Sequence, residues 1–196
     1  MRKVRLAINV SLDGYVARPN GTLDWVFRTI TSDQQAWTIA FLREVDTILI
    51  GHTTYLEQAA FWPTQTGEMA TLMNSHAKIV FSSRLGALEW NHSRLAVSDV
   101  AQEIAQLKRE PGRDIYVTGG ARLCQSLSQR GLIDEYNLTI HPILLGSGMP
   151  LFGEMSEEFA LTLVGTLPFE SGAIHLIYQK ASTQEELRQA HQNRQE

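Results

Sequence analysis

Val4, Leu6, Ile8 and Val10 alternate with Arg5, Ala7 and Asn9, and a period of two predicts a β-strand at the start of the chain. The stretch that follows, "SLDGYVARPNGTLDW", is punctuated by Asp13-Gly14, Pro19 and Asn20-Gly21 and reads as a long ordered connection. "SDQQ" then offers a capping box, with Ser32 accepting from the backbone of Gln35 and the Gln35 side chain reaching back. Behind it, Trp37, Ala40, Phe41 and Val45 recur at helical spacing and predict one inward face. "DTILIG" is a short apolar run, as expected of a strand covered on both faces.

The alternation continues. "TTYLEQAA" predicts a helix, "AKIVFSS" a strand and "LAVS" another short strand. "SDVAQEIAQLKRE" predicts a helix begun by Ser98 or Asp99, with Val100, Ile104 and Leu107 inward. "DIYVTG" is a strand leading into a helix that Gly131 can close in a left-handed conformation. Beyond it, "DEYNLTIHPILLG", "LTLVGTL" and "AIHLIYQK" are strand-like with no helix among them, which predicts an antiparallel end to a mixed sheet. The pattern is that of an α/β fold with a mostly parallel sheet covered on both faces. Residues 1–180 read as one domain, and residues 181–196 as a polar tail without an apolar stripe.

Composition narrows the classes. The 196 residues are 43% hydrophobic and 19% charged, enough for a sizeable core and unlike a disordered chain. A net charge of −4 with no basic cluster gives no reason to expect a nucleic-acid partner. No apolar run reaches membrane-spanning length and the N-terminus lacks a signal-peptide pattern, so a cytoplasmic protein without a membrane partner is expected. Cys124 is the one cysteine and reads as a buried small hydrophobe. His92, His141 and His175 are widely separated, and no metal site is expected.

Ligands of parallel α/β sheets lie beyond the carboxyl ends of the strands. Three strand ends here carry glycine, hydroxyl or basic residues: "ILIGHTTY", "IVFSSRL" and "IYVTGGARL". At Gly119 and Gly120 the missing side chains let a phosphate approach the backbone, and the N–H groups of the next helix can donate to it. Gly51 ends another strand, followed by the hydroxyls of Thr53 and Thr54. Ser82, Ser83 and Arg84 could hold a ribose or its phosphate. Singly, each has a plainer reading as a turn, a helix cap or a solvated arginine. Three together point to one anionic, phosphate-bearing ligand.

The ordered pattern "LAINVSLDGYVA…LDW…VDTILIGHTTY…MNSHAKIVFSS…DIYVTGGARL…LIDEYNLTIHPILLGSGMPLF" resembles the dihydrofolate-reductase-like family. It is closest to the branch that holds the reductase domain of bacterial riboflavin biosynthesis, and the likeness spans about Met1 to Lys180. The resemblance implies a three-layer sandwich, an NADPH site and a homodimer acting on a small-molecule substrate. It places Gly51, His52, Thr53 and Thr54 at the adenosine-side phosphates, and Ser82, Ser83 and Arg84 at the adenosine ribose and its 2′-phosphate. Gly119, Gly120, Ala121, Arg122 and Leu123 fall at the pyrophosphate, and Asn9 at the nicotinamide.

Two departures matter. The family usually has arginine where this chain has His52, and histidine, titrating near ~6.5, offers a less assured charge to a 2′-phosphate. NADPH is therefore expected to be preferred over NADH by a reduced margin. Asp33 lies two residues before the position of the acid that grips the pterin ring, and "QAAFWPTQTG" replaces the paired aspartates of the riboflavin enzymes. No H-x-E…P-C-x-x-C deaminase pattern is present. Trp25, Tyr55, Phe61 and Trp62 are candidate pocket walls, Asp13 and Asp33 candidate polar groups for substrate, and no residue is assigned as catalytic. The leading expectation is an NADPH-dependent reductase of a small heterocyclic or carbonyl compound, of riboflavin-precursor or pterin-like type. A non-catalytic dinucleotide-binding protein or sensor is the alternative, and an interaction protein using an exposed sheet edge the third.

Overall fold

A computed structural model describes residues 1–155 and 157–181. The chain runs β1 (Val4–Ser11), β2 (Tyr15–Ala17), α1 (Asp24–Phe27), α2 (Ser32–Glu44), β3 (Val45–Gly51) and α3 (His52–Phe61). A 3-10 turn (Trp62–Thr64) leads to α4 (Glu68–Ser75), β4 (Ala77–Phe81), β5 (Ser93–Leu95), α5 (Val100–Leu107), β6 (Asp114–Gly119) and α6 (Ala121–Gln129). The last strands are β7 (Glu135–His141), β8 (Met149–Pro150), β9 (Leu161–Pro168) and β10 (Ile174–Lys180).

Eight strands form one sheet in the order β5-β4-β3-β6-β1-β7-β10-β9, and β2 pairs with β8 in a small second sheet. The pairings from β5 to β7 are all parallel, whereas β10 is antiparallel to both β7 and β9. This is the predicted mixed sheet of the dihydrofolate-reductase-like sandwich. Strand periodicity divides the core. Val4, Leu6 and Val10 of β1 join Leu49, Ile79, Ile115 and Val117 under α5 and α6. Ala7, Ile48, Ile50 and Val80 face the other way, against Phe41 and Leu42 of α2, Tyr55 of α3 and Met73 of α4. A fully buried aliphatic side chain contributes roughly 1.5–3 kcal/mol, so each layer is held mainly by its own face.

Several local expectations needed correction. The N-cap of α2 is Thr31, not Ser32. The Thr31 carbonyl accepts from Gln35 N at 3.0 Å and its hydroxyl donates to Asp33 Oδ1, so no capping box forms. Ala40 is exposed and Leu42 is buried in its stead, because the helix turns its Phe41–Leu42 edge inward. The short strand ends at Leu95 rather than running on to Ser98. Val97 is 85% exposed, and its N–H donates to Glu103 Oε1 at 2.8 Å instead of joining the ladder. Asp99 caps α5 through Ala101 N, and Gly131 takes φ +59° after α6. The tail from residue 182 lies outside the described residues. Among the described residues, no helix is long and apolar enough to cross a membrane.

Candidate functional site

Strand order makes the three glycine- and serine-bearing ends neighbours, because β4, β3 and β6 are adjacent in the sheet. Gly51 is the N-cap of α3 and Gly120 the N-cap of α6. The two turns lie back to back. A Cβ on Gly120 would sit 3.5 Å from Gly51 Cα and 3.6 Å from Thr54 Oγ1. Two helix N-termini, each with unpaired N–H groups and a partial positive charge, thus open side by side. Gly119 and Gly120 have φ of +136° and +86°, conformations that only glycine adopts without strain. Ala121 and Arg122 start α6, with Arg122 exposed. The Leu123 side chain is buried in the core, which leaves only its backbone for a ligand.

His52 Nδ1 lies 2.8 Å from Ser82 Oγ and ties the end of β3 to that of β4. Ser82 Oγ also accepts from Arg84 N at 3.1 Å and Leu85 N at 3.2 Å. With both lone pairs filled, the hydroxyl proton is directed to Nδ1, which leaves Nε2–H of His52 as a free donor. Thr53, Ser83 and Arg84 are exposed along the same rim.

At the carboxyl ends of β1 and β7 the chemistry is of another kind. Asn9 Oδ1 accepts from Gln34 Nε2 at 3.1 Å and from His141 Nε2 at 2.8 Å. Thr29 Oγ1 is 2.7 Å from the other nitrogen of His141. Burial pulls the His141 pKa down to about 4, so near neutral pH the ring carries one proton. With Asn9 presenting Oδ1, that proton belongs on Nε2, and Nδ1 accepts from the Thr29 hydroxyl, which is shared with Val26 O at 3.2 Å. Trp25 packs edge-on against His141 with ring centroids 5.3 Å apart. Two buried polar atoms in this group have no protein partner, Gln34 Oε1 and Trp25 Nε1. Such an atom costs a fold about 1–3 kcal/mol.

The same sheet face is polar along all of β7: Glu135, Asn137, Thr139 and His141 alternate on it, and all are buried. His175 of β10 stands beside Thr139, its Nδ1 at 2.9 Å from the hydroxyl. It lies under Trp37, ring centroids 3.9 Å apart, and burial brings its pKa to about 4. His141 and His175, far apart in sequence, are thus close neighbours in the sheet, while His92 sits in a turn with φ +61°.

The remaining candidates are placed as follows. Asp13 is exposed; its carboxylate accepts from Ser11 Oγ, Gly146 N and Leu145 N, which together hold its pKa below the usual range. Asp33 is likewise lowered, by the Thr31 hydroxyl and then Glu170 N–H, and it pins α2 to the turn between β9 and β10. Both carboxylates are occupied in joining loops. Tyr55 does not wall a cleft: it is 2% exposed and its hydroxyl accepts from Trp90 N, which anchors the connection after β4. Trp62 packs against Phe61, and its carbonyl accepts from Asn74. Trp25 is fully buried rather than lining an opening. Gln34 had no signal as a site residue except its place on the inward side of α2, three residues before Trp37, where a polar residue is out of pattern. Two grooves, of about 550 and 410 Å³, open at the opposite pole of the sheet beside Lys78 and Lys3, away from these strand ends.

Residues 2–175 match the family described as the RibD C-terminal domain. Two proteins of Bacillus subtilis (strain 168), YyaP and YwjB, both named as uncharacterised, are each 32% identical to the chain. YyaP aligns over 90% of this chain and 94% of its own length, YwjB over 92% and 99%. The riboflavin biosynthesis protein RibD of Corynebacterium ammoniagenes is 26% identical over 74% of this chain and 44% of its own. Among solved structures, a putative riboflavin biosynthesis protein from Shewanella sp. PV-4 superposes with a TM-score of 0.76 at 25% identity, over 92% of this chain and 99% of that one. Dihydrofolate reductase from Enterococcus faecalis, complexed with NADP(H), shares the fold with a TM-score of 0.61 at 13% identity, covering 92% and 97% of the two chains. With a family match across nearly the whole sheet and the strand-end glycines in place, the chain belongs to the RibD C-terminal domain family.

Proposed function

We propose that this chain is an NADPH-dependent reductase of a small heterocyclic or carbonyl compound, of riboflavin-precursor or pterin-like type. The observation that carries the reading is the pair of apposed glycine turns, Gly51 against Gly120, with the His52–Ser82 bracket beside them. Two helix N-termini opening together suit a diphosphate, because each supplies aimed N–H donors and a favourable dipole. Gly51, Thr53, Thr54 and the backbone of Gly119 to Leu123 would hold the phosphates. His52, Ser82, Ser83 and Arg84 would hold the adenosine ribose end, and Asn9 lies at the nicotinamide end. When bound, the cofactor supplies the hydride. The chain's own part is to position, to exclude water and to leave an acceptor within reach.

The test is fluorescence titration of the protein with NADPH and NADH, alongside Gly120→Asp. Tight NADPH binding lost in the variant supports the reading, and absence of binding to either dinucleotide refutes it. One observation favours a second reading, a dinucleotide-binding protein without turnover: both candidate acids, Asp13 and Asp33, are engaged in loop contacts. NADPH oxidation with any pterin, flavin-precursor or carbonyl substrate would remove that alternative. We place the protein in the cytoplasm, as a homodimer joined through its late strands. The outer edge of β9, where Val164 is 51% and Leu167 42% exposed, supports that arrangement. A monomeric mass by light scattering at micromolar concentration would overturn it.

A further inference from the structure

The ammonium of Lys78, on β4, is fully buried and is met by carbonyls and a ring rather than by a carboxylate. Nζ donates to Asn74 O at 2.9 Å and to Asn91 O at 3.0 Å, and it stands 4.2 Å from the centre of the Trp90 ring. An ammonium has three N–H donors, so two carbonyls and one ring face use all of them. Burial pulls its pKa down to about 8, so near neutral pH the cation is present and its desolvation opposes folding. A methionine would fill the same space without that cost. The charge is explained by what it gathers. Asn74 belongs to α4, and its side chain takes the Trp90 indole N–H at 2.7 Å and donates to Trp62 O at 3.0 Å. Trp90 N in turn donates to the Tyr55 hydroxyl at 3.1 Å, one turn along α3 from His52. Trp90 and Asn91 end the connection that begins at Ser82 and runs back along the sheet to β5, where Ser93 is level with Lys78. That connection starts with Ser82, fixed to His52, then Ser83 and Arg84, and its Leu85 and Leu88 pack on the core. It is fastened at one end by a hydroxyl and at the other by the ammonium.

We propose that Lys78 is a positioning residue for the adenosine end of the cofactor: its ammonium holds the returning end of the connection 82–92 against α4 and α3, and so keeps Ser83 and Arg84 on the rim beside His52. The proposal rests on the reductase reading and names a further residue that serves that same site. Lys78 itself touches no cofactor, being buried near the start of β4 while the rim lies past its end. It acts through Trp90 and Asn91. A side chain without N–H groups would leave Asn74 O and Asn91 O buried without their donor, which favours opening of that end toward water. Opening frees the connection back toward Ser82, so Arg84 loses its fixed place while the turns at Gly51 and Gly120 keep theirs. The loss then falls on the 2′-phosphate, which NADPH has and NADH lacks.

The experiment measures the dissociation constants of NADPH and NADH for the full chain by cofactor fluorescence, in wild type, Lys78→Met, Arg84→Ala and the double variant. Lys78→Met should weaken NADPH about tenfold, the worth of one hydrogen bond to a charged group, and NADH by less than about threefold. The double variant should bind NADPH no more weakly than Arg84→Ala alone, because no rim cation is then left to position. Ile133→Ala, a buried change between α6 and β7, is the control for a merely structural effect. A comparable fall in Tm there should leave the ratio of the two constants unchanged. If Lys78→Met does not fold, Trp90→Phe carries the same test. It removes the indole N–H to Asn74 and weakens the ring face at the ammonium, and the ratio should shift about threefold. An unchanged ratio in Lys78→Met, or in Trp90→Phe where Lys78→Met does not fold, overturns the proposal. So do losses that simply add in the double variant. If wild type binds NADPH and the ratio holds in the variants, only this inference falls; if wild type binds neither dinucleotide, the reductase reading falls with it.

Discussion

Gly120→Ala isolates what the turn after β6 contributes. At φ +86° and ψ +99° the residue lies outside the left-handed helical well that other amino acids tolerate. An added methyl meets Gly51 Cα at 3.5 Å and Thr54 Oγ1 at 3.6 Å, ordinary contact distances, so the cost is backbone strain rather than collision. Strain of this kind amounts to about 1–3 kcal/mol. For a chain of this length, about 2 kcal/mol lowers Tm by roughly 4–8 °C. Gly51→Ala is the matched control: its φ of −83° is ordinary and the nearest atoms to its methyl are 3.8 Å away, so its Tm should change by less than about 3 °C. Thermal melts by circular dichroism, with and without NADPH, give both halves of the argument. Without cofactor the gap between Gly120→Ala and wild type reports strain. At a hundredfold excess over Kd, cofactor adds about 2.7 kcal/mol to the wild type, and the gap should widen if the turn is where phosphate is held. A Gly120→Ala protein melting within 1 °C of wild type would refute the strain argument, and an equal NADPH shift in both would refute the phosphate assignment.

Other perturbations test separate parts of the molecule. His52→Arg replaces an imidazole at the end of β3 with a permanent cation, and the ratio of NADH to NADPH dissociation constants should rise about tenfold; an unchanged ratio would show that position 52 does not meet the 2′-phosphate. His141 and His175 have folded pKa values near 4, below the unfolded value, so the stability they contribute is fully present above pH ~6.5 and is lost as pH falls toward 4. Allowing for partial solvent screening, each is worth about 2 kcal/mol across that window, and urea midpoints measured from pH 7 to 4 should fall accordingly, less steeply in His175→Phe. Asp33→Ala should speed amide exchange at Glu170 and leave NADPH affinity unchanged; if affinity falls instead, Asp33 serves the cofactor and not the loop.

What the sequence made legible follows from how each part is built. The parallel sheet was readable because its strands are apolar runs or clean alternations, and "DTILIG" and "DIYVTG" became β3 and β6 almost residue for residue. The glycine turns were readable because glycine is needed there whatever surrounds it. Thr31 as the cap of α2 was hidden, since the choice between Thr31, Ser32 and Asp33 rests on which hydroxyl meets which carboxylate. The pair β2 and β8 was hidden too, because neither strand exceeds three residues and only their long-range pairing defines them. Thr29 and His141 leave no local signature, and Gln34 only a polar residue out of pattern on the inward side of α2. The meeting of Gln34 and His141 at Asn9, with Thr29 behind His141, depends on β7 lying beside β1 in parallel register, Ser11 level with His141, a fact of topology rather than of spacing.

The same topology explains why one end of the site is general and the other particular. From the Ser82 end of β4 through Gly51 and Gly119 to Asn9 on β1 is three strand spacings, about 14 Å. Over the first two spacings the donors are mostly main-chain N–H groups at helix starts, which any sequence with glycine at the two turns can supply. At the third, β1 pairs with β7 as far as Ser11 but with β6 only from Val4 to Leu6, so the ladder with β6 has ended before Asn9, whose side chain joins Gln34 and His141. Side chains placed there are buried against α2, where a polar atom without a partner is destabilising. Gln34 Oε1 and Trp25 Nε1 are two such atoms. The turns at Gly51 and Gly120 are built from backbone at the ends of β3 and β6, and their form does not depend on what fills position 34.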